Sequence, residues 1–373
     1  MNKDHDESRR PPPHHEILCG SAKDSPPLYQ DLPSAPINAE AALNIRSWSL
    51  PPKLAWSSHN LSHSEIRTLA PHYSNNADAL YGMIIEQASY PPSYYVQIHG
   101  KHNETQQSGA KQTKEEITDF FFRINISHLL GPLGSGELIS LPNNKRGYRG
   151  TRIPRLVPGL DDLESRDAVF EWCQRYVDDA AKVKSFTLSR EVLNFDTNKL
   201  YQLIRSAITD TNYCGQVYIT FPSTHCKLIV YSPCRVNAWR VNAWVRWFCY
   251  LSFLWVFIWP ILIFLTSRYE IVKSVFYYAD SPYSDDPNRA CQVMSEHEWF
   301  RMWQSSIKRA VSTKVNTGDD GVLPEEYRTT TERLLTHSLE TNNPSENIIG
   351  NRPDTRPFNS RFVSNNERWG NDS

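Results

Sequence analysis

The sequence predicts an α+β domain with a mainly antiparallel sheet, followed by one transmembrane helix and flanked by disordered N- and C-terminal tails. Three observations lead to this prediction: alternating apolar residues between positions 79 and 235, a charge-free run from Trp247 to Thr266, and polar ends rich in proline. The 373 residues include 25 prolines, the mean hydropathy is -0.54 and the formal net charge is -1. This composition favours one packed domain and gives no global attraction to nucleic acid.

The central region contains stretches with the period of β-strands. "DFFFRINI" places Phe120, Phe122, Ile124 and Ile126 on one face, as a half-buried strand requires. The same alternation marks "YYVQIHG", "KSFTLSREVL", "GQVYITF" and "KLIVYS", and the last two are predicted to form a hairpin through "PSTHC". Helical spacing follows Ser165 and again follows Asp196 or Thr197. Strands and helices do not alternate regularly, which favours an α+β fold.

The run from Trp247 to Thr266 predicts a transmembrane helix. Twenty helical residues span about 30 Å, the thickness of a hydrocarbon core. Every face of such a helix is apolar, unlike a helix packed on a globular core. The alternative is a hairpin bent at Trp259–Ile261 that enters one leaflet and returns. The candidate membrane anchors are Arg240, Trp244, Arg246, Trp247, Trp259 and Arg268, because arginine and tryptophan favour the interface.

The distribution of charge predicts an orientation and five regions. Basic residues without acids precede the run, which places residues 1–246, and so the N-terminal domain, in the cytosol. The membrane itself is either an endomembrane or the plasma membrane. The regions are 1–78, a disordered Pro/Ser-rich tail with a PPxY motif; 79–235, the α+β domain; 236–267, the juxtamembrane anchor and transmembrane helix; 268–312, a membrane-proximal segment; and 313–373, a disordered tail.

The membrane-proximal segment contains an amphipathic helix. Ser295 and Glu298 form a capping-box pattern, and Trp299, Trp303 and Ile307 recur on one face. This face either packs against the rest of the protein or lies on a bilayer surface.

A longer stretch resembles a known group of sequences. The run from "TNYCGQVYITF" to "FLTSRYE", with "KRGYRG" and "VKSFTLSREVLN" upstream, is similar to an uncharacterised family of predicted single-span membrane proteins of filamentous fungi. The similarity covers about residues 79 to 312. It implies a membrane protein and transfers no active site.

Two PPxY motifs are candidate WW-domain ligands. They resemble the motifs of adaptors for NEDD4-type ubiquitin ligases, in which the prolines present a polyproline II turn. In the second motif the tyrosine shares a strand face with Val96 and Ile98, so a core position is the alternative. The candidate residues are Pro26, Pro27 and Tyr29 in the first motif, and Pro91, Pro92 and Tyr94 in the second.

A basic loop is a candidate site for anionic lipid. "KRGYRGTRIPR" has no acid, and each cation near an anionic surface contributes up to about 1 kcal/mol. The alternative is a solvated loop neutralised by Asp161, Asp162 and Glu164. The candidate residues are Lys145, Arg146, Arg149, Arg152 and Arg155.

No catalytic signature points to an enzyme. The sequence has no GxSxG, P-loop, HExxH or GxGxxG motif, and Cys214, His225, Cys226 and Cys234 lack the close pairing of a zinc site. We therefore expect no cofactor, no metal and no nucleic-acid partner. The predicted function is a non-enzymatic membrane adaptor that recruits WW-domain partners such as a ubiquitin ligase. The alternatives are a membrane-tethered lipid-binding or lipid-transfer domain and an enzyme whose site no motif reveals.

Overall fold

The structure is a computed structural model that describes residues 49–54, 57–59, 64–108, 111–142, 144–156, 166–282, 286, 288–319, 321–341 and 369–370. Within these ranges the chain forms an α+β domain with two sheets and two hydrophobic cores. The α+β class is therefore confirmed. The first motif Pro26–Tyr29 lies outside the described residues.

The larger sheet has seven strands of mixed direction. Its order is β1-β2-β10-β7-β11-β5, and β6 also pairs with β11. The pairs β2/β10 and β7/β11 are parallel and the others antiparallel. The bounds are Ser57–His59 (β1), Glu65–Thr68 (β2), Glu137–Ser140 (β5), Arg149–Thr151 (β6), Lys184–Leu193 (β7), Lys227–Tyr231 (β10) and Ser267–Tyr277 (β11).

The smaller sheet has four strands, all antiparallel. Its central strand is β3, which pairs with β4, β8 and β9. The bounds are Ser93–Ser108 (β3), Lys111–Asn125 (β4), Gln216–Thr220 (β8) and Ser223–Thr224 (β9). The predicted β8–β10 hairpin is wrong, because β8 and β10 lie in different sheets.

Nine α-helices lie within the described residues. Their bounds are Pro71–Asn75 (α1), Ala77–Ala88 (α2), Arg166–Asp178 (α3), Thr197–Thr209 (α4), Arg235–Val241 (α5), Ala243–Leu251 (α6), Trp255–Leu265 (α7), Glu296–Ser312 (α8) and Glu325–Thr341 (α9). The caps predicted for α4 and α8 are formed. The Asp196 side chain accepts from the backbone N–H of Lys199, and the side chains of Ser295 and Glu298 each accept from the backbone N–H of the other residue. Helix α9 lies in the region where the sequence predicted a disordered tail.

Each sheet has its own core. On β7, Phe186 and Leu188 face a core shared with α2 and α3. The smaller sheet packs Phe120 and Phe122 against α4 and α8, where Trp299 and Trp303 are buried. Helix α8 is thus a core helix, and packing inside the protein is the outcome for its apolar face.

The predicted transmembrane helix is wrong. The apolar run is divided at Ser252–Leu254, where Phe253 has a left-handed backbone with φ 56°. At 1.5 Å per residue, α6 and α7 extend about 14 and 17 Å, against the ~30 Å of a hydrocarbon core. Within the described residues, no helix combines the length and apolar character that a membrane crossing requires. The transmembrane and single-pass description of the chain is corrected accordingly, while the cytosolic placement of its N-terminal domain stays a prediction.

Candidate functional site

The apolar run forms part of an arch above one end of the larger sheet. We use "arch" for residues 235–265, which contain α5, α6 and α7. Strand β10 ends at Tyr231 opposite Ser185, and β11 begins at Ser267 opposite Lys184. Both residues therefore lie at the same end of β7. The chain therefore leaves the sheet and returns to it at the same end of β7. A single crossing of a membrane between β10 and β11 would instead place these two strands on opposite sides of the bilayer.

Local interactions shape the arch. The buried side-chain amide of Asn237, in α5, donates to the carbonyl oxygen of Ser232 at 3.0 Å. This bond holds the first end of the arch against the end of β10; we call the two ends of the arch its feet. Asn242 ends α5 in extended conformation and caps α6 by accepting from the Trp244 backbone at 2.9 Å. At the other foot, the Thr266 hydroxyl donates to the Leu262 carbonyl at 2.7 Å. The first end is thus held against the end of β10, and the last turn of α7 is closed by Thr266.

The arch has a large set of exposed apolar side chains. Trp244 is 85% exposed and Phe253, at the turn, is 73% exposed. Soluble proteins rarely expose apolar patches of this kind unless the patch contacts a partner or a lipid surface. The other exposed apolar residues of the arch are Trp239, Trp247, Phe248, Tyr250, Leu251, Leu254, Trp255, Val256, Phe257, Trp259, Ile261, Phe264 and Leu265.

The charged residues within the arch segment of the sequence have one sign. No Asp or Glu occurs between Thr211 and Tyr269. The Arg240 guanidinium lies 5.2 Å from the ring centre of Tyr231, and that of Arg268 lies 5.1 Å from the ring centre of Tyr148. All six predicted anchor residues lie on the arch or at its foot.

The basic loop lies beside the arch. Strand β6 pairs with the start of β11, with Thr151 opposite Arg268, and the Ser267 hydroxyl donates to the Gly150 carbonyl at 2.9 Å. Gly150 has φ +73°, and a Cβ there would lie 2.6 Å from the Tyr269 hydroxyl. This close approach requires glycine. It brings together two features that are far apart in sequence.

The five cations of the loop divide by role. The Arg149 guanidinium is used internally, since it donates to the carbonyls of Leu141 and Pro142 at 3.0 and 2.7 Å. The remaining four are exposed: Lys145, Arg146, Arg152 and Arg155. Two apolar side chains, Ile153 and Leu156, are exposed among them. The loop thus presents cations and apolar groups together, next to the arch.

The second PPxY motif is part of the fold. Pro91, Pro92 and Ser93 are buried, and the Tyr94 ring packs edge-on against Phe195 with centroids 5.5 Å apart. Burial, followed by the nearby Cys226, raises the pKa of Tyr94 to about 12. These residues thus occupy packed positions of the fold, as the alternative interpretation of this motif expected. A WW domain has no access to them in this conformation.

A polar network that sequence reasoning missed lies on the smaller sheet. His102 Nδ1 is 2.7 Å from Asp119 Oδ2, and the Tyr213 hydroxyl donates to the same oxygen at 2.9 Å. The Tyr213 hydroxyl also lies 3.0 Å from the Lys101 carbonyl oxygen, and its ring is tilted against that of Trp369 with centroids 4.6 Å apart. The network joins β3, β4 and the segment before β8. No sequence motif marks it, because its members are brought together only by strand pairing.

Metal binding has no support in the described part of the chain. No group of three or more His, Cys, Asp or Glu side chains in the described residues could hold an ion.

The comparisons with known proteins do not add a relative. A scan against protein families, a search of curated proteins and a search of solved structures found no match to this chain.

Proposed function

We propose that the chain binds the surface of anionic lipid bilayers through the arch and the basic loop. The single observation that carries the proposal is the set of large exposed apolar side chains of the arch, which lies in a stretch of sequence, between Thr211 and Tyr269, that contains cations and no Asp or Glu. This proposal follows the lipid-binding alternative from the sequence and does not involve a crossing.

The geometry of the arch suits insertion into one leaflet. Interfacial helices place their apolar side about 5–10 Å into the boundary between headgroups and acyl chains, and they need not be long. Both feet of the arch are at the same end of the sheet. Phe253, at the turn between α6 and α7, would insert, and Arg240 lies at the end of β10, over the ring of Tyr231. Tryptophan and arginine favour that headgroup level.

Charge favours a bilayer over a protein partner as the occupant. The basic loop and the feet of the arch supply cations on the same side of the molecule. Each cation near an anionic lipid surface contributes about 1 kcal/mol, and a bilayer provides apolar and anionic groups together. A second copy of this chain would instead bring like charges into contact.

Vesicle sedimentation tests the proposal. The full chain is mixed with vesicles of phosphatidylcholine alone or with phosphatidylserine added, and we expect strong binding only to the anionic vesicles. Phe253→Glu with Phe257→Glu should reduce binding by about tenfold or more, because charges are costly in the apolar layer. Leu334→Glu is the matched control, since Leu334 is also exposed but lies on α9.

The basic loop has its own arm of this experiment. Each of Arg152→Glu and Arg155→Glu should weaken binding to anionic vesicles about fivefold or more, and neither should change the residual binding to neutral vesicles. Equal binding to both kinds of vesicle, or binding to neither with self-association of the chain, contradicts the proposal.

Recruitment of WW-domain proteins rests on Pro26, Pro27 and Tyr29 alone, because the second motif is buried. It stays a prediction. Binding of a peptide containing "PPLY" to a WW domain, compared with the Tyr29→Ala peptide, measures it directly.

A further inference from the structure

A cavity of about 690 Å³ lies between the arch and the larger sheet. Sites for small organic ligands commonly have about 300–1,000 Å³. The sheet forms the floor of the cavity and the three helices of the arch form the roof. These two walls have opposite chemical character.

The floor is polar because of the alternation along β7. Phe186 and Leu188 point into the core under the sheet, so Ser185, Thr187 and Ser189 face the cavity. Strand β10 continues this floor, with Lys227 beside Ser189. A sheet face lined by hydroxyl groups and cations is unusual beneath an apolar cover, since it leaves polar groups to be satisfied by a ligand or by solvent.

The roof is mainly apolar. It is formed by residues from all three helices of the arch, which face the polar floor across the cavity. The apolar and aromatic lining residues of the roof are Val236, Trp239, Val245, Tyr250, Trp255, Ile258, Trp259, Ile261, Leu262 and Leu265. An aliphatic chain against this surface would remove apolar area from water on both partners.

The charge of the cavity is positive. Its lining includes the cations Arg67, Lys227, Arg240, Arg246 and Arg268 against the carboxylates Glu65 and Glu270. Glu65 is engaged by Arg67 at 2.7 Å. In the described part of the chain the other four cations form no ion pair within 4.0 Å. An anionic group would therefore find cations with no competing carboxylate bound to them.

We infer that this cavity binds one single-chain anionic lipid, with its aliphatic chain along the roof of the arch and its phosphate or carboxylate near Lys227. The inference deepens the proposed function and rests on it, because a bilayer in contact with the arch is the source of the ligand. It adds a site for one molecule to a surface that contacts many.

Native mass spectrometry of the delipidated full chain tests this site without vesicles. The probes are a lysophosphatidic acid, a fatty acid of the same chain length, a monoacylglycerol and inorganic phosphate. We expect one molecule per chain for the two anionic lipids and binding weaker by about tenfold for the neutral monoacylglycerol, which lacks the charge-assisted bonds. Inorganic phosphate should not compete, and competition by phosphate alone would show an anion site without a chain site.

Two substitutions in the cavity should abolish the single bound lipid. Lys227→Glu reverses the charge of the floor, with Arg301→Glu as the control of equal charge change on the exposed side of α8. Ser189→Trp fills the cavity from the floor without altering the outer surface of the arch. Thermal melting identifies any variant that fails to fold, and the inference then depends on the other variant.

The two proposals are separated by a cross-comparison. Ser189→Trp should lose the bound lipid and keep vesicle binding, whereas Phe253→Glu with Phe257→Glu should keep the bound lipid and lose vesicle binding. Retention of one anionic lipid per chain by both Lys227→Glu and Ser189→Trp overturns the site. If the wild-type chain binds one lipid but does not bind vesicles, the proposed binding to bilayer surfaces is wrong and the lipid site in the cavity stands.

Discussion

Helix α8 and the arch are both rich in tryptophan, but the indoles are buried in α8 and exposed on the arch. Trp299 and Trp303 of α8 are 0% and 2% exposed, whereas Trp244 of the arch is among the most exposed side chains of the described chain. Both segments were candidates for lipid contact from the sequence. The difference between them is one of periodicity and not of tryptophan content.

Helix α8 has a polar side and an apolar side. Trp299, Trp303 and Ile307 share one side, which the core of the smaller sheet covers, and Arg301 is exposed on the other. Helix α7 has no such division, since its sequence "WVFIWPILIFL" is apolar all round. No residue of α7 is buried, and most of its large apolar side chains are exposed. Neither core covers the arch, whereas the core of the smaller sheet covers the apolar side of α8.

The largest effect that sharpens this comparison is expected from matched tryptophan substitutions. Trp303→Ala removes a buried indole and should lower the free energy of unfolding by about 3–5 kcal/mol. Trp244→Ala should change it by less than about 0.5 kcal/mol, as for an exposed position, and should weaken vesicle binding instead. Urea unfolding of both variants measures the difference, and equal destabilisation would contradict the distinction between core helix and arch.

A second effect concerns the ion pair that fixes the start of α8. Arg289 donates to both carboxylate oxygens of Glu296 at 2.7 and 2.8 Å, and the two side chains are 4% and 2% exposed. Glu296 also accepts from the backbone of Asp196, the cap of α4. Bonding to Glu296 raises the pKa of Arg289 despite burial. The pair thus joins the N-termini of two core helices.

Breaking this pair should destabilise the fold by about 3 kcal/mol, because Arg289→Met leaves the carboxylate buried without its partner. Adding Glu296→Leu should recover part of the loss, which a double-mutant cycle measures. Arg240→Met on the arch, where the cation contacts only a tyrosine ring among the described partners, should cost less than about 1 kcal/mol. A loss for Arg240→Met as large as that for Arg289→Met would contradict the comparison.

The sequence was sufficient for elements whose signals are local. "KSFTLSREVL" coincides with β7, and the capping box of α8 is formed by Ser295 and Glu298 as expected. It was insufficient where pairing is distant. Strands β8 and β10 carry the same alternation on either side of a short turn, but β8 pairs with β3 and β10 with β7. Alternation gives the faces of a strand and not its neighbour.

The arch shows the same limit for helices. The hairpin alternative predicts a bend at Trp259–Ile261, yet Pro260 lies inside α7 and the break is at Ser252–Leu254. No glycine or proline marks that break, so composition could not locate it. Likewise, the position of the basic loop beside the arch depends on the pairing of β6 with β11. The sequence identified the apolar run, but as a transmembrane helix, and the basic loop; the contact between them was not predicted.

A smaller effect should appear in the pH dependence of the core around α9. Burial, followed by the charge of Arg328, lowers the pKa of His128 to about 4. Between pH 6.5 and 4 the unfolded chain therefore binds a proton at this histidine that the folded chain does not. The contribution of neutral His128 to the free energy of unfolding is complete above pH 6.5. As the pH falls toward 4, the free energy of unfolding decreases by about 1–3 kcal/mol.

His128→Leu should remove this part of the pH dependence. Denaturant unfolding at pH 7 and pH 4.5 gives the two stabilities, and the variant should lose less between them than the wild type. The arch provides the contrast, because residues 235–265 contain no acid and no histidine. Vesicles of phosphatidylcholine and phosphatidylserine should therefore bind the His128→Leu and wild-type chains equally at pH 7, and a difference there would place His128 in the surface function.

The smallest expected effect comes from the two helix caps. Ser295 accepts from the Glu298 backbone at 3.2 Å at the start of α8, and Asn242 accepts from the Trp244 backbone at the start of α6. Ser295→Ala should cost about 1 kcal/mol of global stability, because α8 unfolds with the core. Asn242→Ala removes an equivalent bond from a helix outside both cores, so it should leave the global transition nearly unchanged and increase hydrogen exchange only at residues 243–251. An equal loss of global stability for both caps would mean that the arch unfolds with the core, and α6 would then be part of the same cooperative unit as α8.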